Sequence, residues 1–350
     1  MKKIDIFNHV LPHKFFERIG ELKDIGKRMR EVPMLVDVDE RFRVMDKFPD
    51  YFQVLCAGMP PIEALAGPAE SPELARICND GLAELCERHP ERFPTFIASL
   101  PLNNPEACVD EIRRSVKDLG ARGVQIFSNV GGKPLDLPEF APIFDTMAEL
   151  DLPIFLHPQR GAGFADYQSE QKSKYELWWA FGWPYETSVA MARIAFAGIF
   201  DRHPSIKIIT HHGGAMIPFF EGRIGPGLDQ LGARTSGFDK ASLTIKRRPF
   251  DYFKMFYADT AVFGSRAATQ CSLEFFGADK MVFASDAPFD PEKGPMYIRE
   301  TIRVIESLDI PEAERAKIFH GNAEKLLKLS EDKAHRPQRR ELVGVENRLA

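Results

Sequence analysis

Eight short apolar runs recur along the chain: Ile4–Asn8, Phe52–Ala57, Thr95–Ser99, Val124–Ser128, Pro153–Leu156, Lys207–Thr210, Met255–Ala258 and Met281–Ala284. Their apolar character is nearly continuous, not alternating, which is the pattern of strands buried on both faces. Between them lie amphipathic segments: Ser71–His89, Asn104–Leu119, Glu139–Leu150, Tyr185–Arg202, Ser265–Phe276 and Met296–Ser307. Ser71 before Pro72, and Asn104 before Pro105, read as helix starts, with a capping side chain ahead of a proline in the first turn. Strands that alternate with helices predict a parallel sheet. Eight repeats predict closure into an α/β fold of the (β/α)₈ TIM-barrel type.

Two stretches break this rhythm. Lys14–Pro49 is too long for a simple strand–helix connection and is rich in charge. Gly161–Trp183 is long and aromatic, with Trp178, Trp179 and Trp183. Long connections in barrels belong to the active-site face or to an interface. Residues 1–330 read as one barrel domain, and 331–350 as a polar C-terminal tail.

The chemistry sits where the apolar runs stop. His9 follows the first run, His157 the fifth, His211 and His212 the sixth, and Asp286 the eighth. A lone histidine or aspartate at such a point would read as a packed core residue or a turn cap. Recurrence at four strand ends reverses that weighting, because the strand ends of one barrel face converge on one pocket. Neutral imidazoles there suit Zn²⁺ or Mn²⁺. Asp286 could ligate a metal or handle a proton. Adjacent residues at a strand end point in different directions, so one of His211 and His212 is expected to face the centre.

Composition narrows the partners. Hydrophobic residues are 44%, charged residues 28%, and the net charge is −5. That balance carries no basic footprint for nucleic acid. No run approaches the roughly 18 apolar residues of a membrane span. Five cysteines, without Cys-x-x-Cys spacing, read as free thiols. A soluble cytoplasmic protein acting on a small molecule is expected.

The segments "IDIFNHVLP", "RFRVMD", "PLDLPEFAPIFDTMAELDLPIFLHP", "HHGGAMIPFFEGRI", "FASDAPFD" and "IFHGNAEKLL" together resemble the amidohydrolase-related family that contains 2-amino-3-carboxymuconate-6-semialdehyde decarboxylase. The resemblance runs from about Lys2 to Leu329 and implies a barrel enzyme acting on a small carboxylated, cyclic or unsaturated substrate. Decarboxylation ranks first, metal-dependent hydrolysis or hydration second, ligand binding without turnover after these, and a purely structural barrel lowest. The resemblance implies a divalent ion, Zn²⁺ before Mn²⁺, on His9, His157 and Asp286. It implies His212 as the proton-handling histidine, with Asp286 beside it. Arg223 and Arg41 are the implied carboxylate-binding arginines, Arg223 across a subunit interface in some members, so a homodimer or higher homo-oligomer is expected. The aromatic loop around Trp178, Trp179 and Trp183 is expected to cover the flat body of the substrate. One departure stands out: Phe7 occupies the place of the first histidine of the family's His-x-His pair. With three protein ligands left, a metal remains compatible, and a metal-free enzyme becomes an alternative.

Overall fold

The structure is a computed structural model that describes residues 1–22, 27–235 and 245–329. The polar tail expected after residue 330 lies outside the described residues. Eight parallel strands follow one another around the sheet in sequence order. They are β1 (Lys3–His9), β2 (Tyr51–Cys56), β3 (Phe96–Ser99), β4 (Val124–Phe127), β5 (Ile154–His157), β6 (Ile208–Thr210), β7 (Tyr257–Asp259) and β8 (Met281–Val282). The last strand returns to the first. Ile6 N–H donates to Phe283 O (3.0 Å), Asp286 N–H to Phe7 O (3.0 Å) and His9 N–H to Ala287 O (2.7 Å). These three bonds close the barrel at the seam that carries His9 and Asp286.

Two apolar layers hold the ring. Ile4, Ile6, Phe7, Val54, Cys56, Ile97, Phe155, Ile209, Val282 and Ala284 fill the barrel interior. A larger shell packs the outward strand faces against the helices. Both faces being buried is why the strands read as unbroken apolar runs.

The predicted helices form with small shifts. Pro105–Lys117 is capped by Asn104, whose side chain accepts from Ala107 N–H, and Arg266–Phe276 is capped by Ser265. Ser71 differs. It lies inside its helix, Glu70 is the cap residue, and its hydroxyl donates to Asn103 Oδ1 (2.6 Å). The span expected to be one helix over 185–202 is two, Gly182–Phe196 and Ile199–Arg202, because Gly198 adopts a left-handed φ of 73° between them. The seventh strand starts two residues later than its apolar run, since Pro249–Met255 winds into a 3₁₀ turn. No helix among the described residues is long and apolar enough to cross a membrane.

One buried acid sits apart from the barrel mouth chemistry. Glu63, on the short helix Ile62–Leu65, has both carboxyl oxygens buried without a hydrogen-bond partner. Burial pushes its carboxyl from 4.5 up to about 8. Above about pH 4.5 the unfolded chain releases this proton while the folded chain retains it, so stability falls as pH rises toward 8. Glu63→Gln is therefore expected to stabilise the fold at pH 8 by up to about 4 kcal/mol, and by much less at pH 4.5. Urea unfolding at the two pH values checks this, and equal effects at both would remove the carboxyl as the cause.

Candidate active site

The strand ends converge as the sequence predicts. His9 ends β1, His157 ends β5, His211 and His212 follow β6, and Asp286 follows β8. His9 and His157 stand with ring centroids 5.9 Å apart. His157 is 5.6 Å from His211 and 6.3 Å from His212. His9 Nε2 lies 2.8 Å from Asp286 Oδ1. A side chain on Gly58 would come within 3.1 Å of the His9 ring, so glycine there lets the imidazole lie against the end of β2.

Three of the imidazoles are set in one tautomer by their neighbours. His157 Nδ1 is 2.7 Å from the carbonyl of Pro158, His212 Nδ1 is 2.8 Å from that of Ala261, and His211 Nδ1 is 2.6 Å from Asp259 Oδ2. An oxygen acceptor at Nδ1 places the proton there and leaves Nε2 as a lone pair. The Nε2 atoms of His211 and His212 are buried without partners.

Burial, followed by the charges of His211, His9 and His212, holds the His157 imidazole well below its ordinary range. Burial likewise lowers His211, against the pull of Asp259. Burial alone would raise the Asp286 carboxyl. The His9 hydrogen bond and the three nearby imidazoles outweigh it and keep the group below the usual aspartate value. The cluster therefore sets imidazoles around an ionised carboxylate, with burial biasing those of His157 and His211 toward the neutral form.

Two of its residues carry backbone strain. His212 has φ 58° and Asp286 φ 64°. Left-handed backbone at residues other than glycine costs about 1 kcal/mol or more each and gathers at functional positions. Gly213, next to His212, must remain glycine, since a Cβ there would meet Ser272 Oγ at 2.5 Å.

Phe7 forms the floor. It is fully buried, stacks on His211 with centroids 3.5 Å apart and meets His9 edge-on at 4.6 Å. His157 is 5.5 Å away. An aromatic ring thus stands among three imidazoles where a further donor is expected. In donor chemistry, His9, His157 and Asp286 suit a divalent ion. Two of the three stand together as the His9–Asp286 pair. Among the described residues, no group of three or more His, Cys, Asp or Glu is arranged to hold an ion as it stands.

The arginine expectations fare differently. Arg41 is fully buried and faces away from solvent and pocket. Its guanidinium donates to Asn8 Oδ1 (3.0 Å), Gln53 Oε1 (2.7 Å) and the carbonyls of Met34 (3.0 Å) and His9. With those bonds made it props the end of β1 from behind and is closed to a substrate carboxylate. Arg223 is exposed on the helix Glu221–Asp229.

Of the three tryptophans expected to cover the site, Trp183 meets His157 at 5.3 Å and Trp179 meets Phe263 at 6.5 Å. Trp178 and Trp179 contact Trp183 at 5.9 and 6.4 Å. Phe263 lies 5.3 Å from His212 and Phe289 5.2 Å from His9. Sequence reasoning missed Asp259, Phe263 and Phe289. Asp259 was accessible, because it stands at the end of β7 just as Asp286 follows β8.

The family described as Amidohydrolase matches residues 4–329. The chain is 30% identical over 351 residues to 2-amino-3-carboxymuconate-6-semialdehyde decarboxylase of Dictyostelium discoideum, covering 95% of this chain and 93% of that protein. It is 34% identical over 307 residues to gamma-resorcylate decarboxylase of Polaromonas sp. JS666, covering 85% and 89%. A crystal structure of a dihydroxybenzoic acid decarboxylase from Polaromonas sp. JS666, with bound manganese and the inhibitor 2-nitroresorcinol, matches with a TM-score of 0.75 at 28% identity, covering 94% and 97%. A match that spans nearly the whole barrel, with relatives that are decarboxylases, makes this chain a member of the amidohydrolase family.

Proposed function

We propose that this chain is a carboxy-lyase that removes CO₂ from a small carboxylated cyclic or unsaturated acid. The observation that carries the reading is the pocket itself: Asp286, held below the usual aspartate range, gathered with the imidazoles of His157, His211 and His212 and walled by Trp183, Phe263 and Phe289. A flat ring fits between such walls. His212 is the proton-handling group. Its Nδ1–H is fixed on Ala261 O, so Nε2 is the atom that carries the moving proton. Nε2 takes up a proton from solvent and hands it to the carbon bearing the carboxylate. The bond between this carbon and the carboxyl carbon breaks, and its electron pair stays with the ring or chain carbon that gains the proton. CO₂ leaves, and Nε2 regains its lone pair. Asp286, held ionised, orients His9 and balances positive charge around the pocket.

His9, His157 and Asp286 are the residues that would hold a divalent ion. Such an ion, when bound, fixes the oxygens of the substrate and offsets their negative charge. Zn²⁺ and Mn²⁺ both suit this donor set, and the manganese of the Polaromonas structure supports the second. The five cysteines are unpaired, which suits a reducing cytoplasm.

The working unit in this reading is a homodimer. Arg223 is exposed, and close to it in sequence lies Phe219, 78% exposed. The helix Gly182–Phe196 presents Tyr185 and Val189 outward, one turn and two turns after exposed Phe181. Ser188 on that helix bonds Met216 N–H, so these apolar groups border one face. A second copy covering it would bring Arg223 to a neighbouring site.

One experiment tests the reading. The purified chain, sized by sedimentation, is offered gamma-resorcylate and a panel of hydroxybenzoates and unsaturated acids, with and without added Mn²⁺ or Zn²⁺. A dimer that releases CO₂ is expected. Ester or lactone cleavage without CO₂ would replace the lyase by a hydrolase, and a monomer with full activity would remove the role of Arg223.

A further inference from the structure

Behind the pocket runs a buried polar chain that the proposed chemistry does not use. Asp5, in the middle of β1, is fully buried and collects four donors. Phe7 N–H (3.2 Å) and Ser285 N–H (3.1 Å) reach Oδ1. The hydroxyls of Tyr51 (2.5 Å) and Ser285 reach Oδ2. Gln53 Nε2 donates to the Tyr51 hydroxyl at 2.9 Å, and Gln53 Oε1 accepts from Arg41. Arg41 in turn holds the His9 carbonyl and the Asn8 amide.

The two ends of this chain are significant. One grips the backbone of His9. The other grips Ser285, the residue immediately before Asp286. Ser285 Oγ also accepts from Ala287 N–H (3.1 Å), and Ala287 O accepts from His9 N–H. Asp286 lies between two residues so fixed, in a left-handed conformation that the surroundings must impose.

We propose that Arg41, Gln53, Tyr51, Asp5 and Ser285 form a clamp across the barrel seam that sets the spacing of His9 and Asp286. They are positioning residues and touch no reacting atom. The inference rests on the reading that His9 and Asp286 are working groups. The physical need is plain. β8 is two residues long by its ladder to β7, and β1 meets the segment after it through only the three closing bonds described above. A seam with so few backbone bonds leaves its side-chain spacing loose unless side chains add restraint. Residues that support a reactive pair must hold it to within about half an ångström. A single carboxylate with four donors, inside an apolar barrel, restrains both strands at once. Arg41 supplies the opposite charge that such a buried carboxylate needs.

The test reads His9 directly and needs no substrate. The protein, as purified, carries ¹⁵N-labelled histidines, and proton exchange at the His9 imidazole is compared with that at His211. His211 bonds Asp259, outside the clamp, and serves as the internal control. Ser285→Ala is expected to speed exchange at His9 about tenfold, the scale of one lost buried hydrogen bond, and to shift its resonance. Exchange at His211 stays unchanged, and Ser285→Thr restores the wild-type signal. Tyr51→Phe, which keeps the ring and removes one donor, gives a smaller change in the same direction and decides the matter if Ser285→Ala does not fold. Unchanged His9 signals in folded Ser285→Ala or Tyr51→Phe protein overturn the clamp. Loss of CO₂ release with unchanged His9 signals overturns it as well, by placing these residues elsewhere in the reaction. Failure of the wild type to release CO₂ overturns the lyase reading alone and leaves the His9 result standing.

Discussion

Asp286→Asn is expected to lower CO₂ release by about 10³-fold, within the range for loss of a group that handles protons or charge at the reacting centre. Asparagine keeps the size of the side chain and can still accept from His9 Nε2, so the 2.8 Å contact survives without its charge. The change therefore separates charge from geometry. Steady-state rates on the best acid of the panel, together with a melting curve, decide it. A rate within tenfold of wild type at an unchanged midpoint would make Asp286 a turn residue. His212→Asn is expected to follow at about 10²-fold, since it removes the buried Nε2 lone pair and leaves Phe263 and Trp183 in place.

The second large effect belongs to Phe7. Phe7→His puts an imidazole among His9, His157 and His211, against which the phenyl ring now packs. Affinity for Mn²⁺ or Zn²⁺, measured by titration calorimetry, is expected to rise by tenfold or more through the added donor. CO₂ release is expected to fall, because a fourth protein ligand closes the open position that catalytic sites keep. Loss of the buried phenyl group costs roughly 1–3 kcal/mol of stability in addition, the scale of a core side chain exchanged for a polar one. If metal affinity and turnover rise together, phenylalanine has merely damaged the site. If neither moves, Phe7 serves the barrel core alone.

The Phe7 ring also shows how the local environment is tuned. It removes water from beneath His9 and His211, and charge interactions strengthen in the drier pocket. The depressed His157 imidazole reflects the same burial. Substitutions that open the floor are thus expected to act on several groups at once, which is why the Phe7→His experiment measures affinity and rate separately.

The clamp changes how Arg41 is understood. An arginine 32 residues from His9 in the chain invites assignment to a substrate carboxylate, and the resemblance implied that role. In the fold its guanidinium is enclosed by Asn8, Gln53, Met34 and His9. A fully buried cation with both terminal nitrogens committed to protein oxygens is costly to expose. Its contribution to function passes through the backbone of His9.

The sequence by itself determined the barrel and one face of it. Unbroken apolar runs at eight places fixed the parallel strands, because a strand covered on both sides has no polar face to display. Strand ends fixed His9, His157, His212 and Asp286 as neighbours, because all strands of a parallel barrel end at the same rim. Family resemblance singled out His212 over His211 as the expected proton-handling group. Tertiary structure decided the rest. Whether Arg41 turns toward the pocket or the core depends on Asn8, Gln53 and Met34, which local sequence does not place beside it. Whether Trp178, Trp179 or Trp183 reaches His157 depends on how a long connection folds back, and such connections carry no periodic signal. The orientation of His211 by Asp259, 48 residues apart in the chain, and the seam held by Asp5 and Ser285, 280 residues apart, arise only when the ring closes. Hydrogen bonds between distant residues leave no local pattern to read, whereas burial does, and the division between what was legible and what was not follows that line.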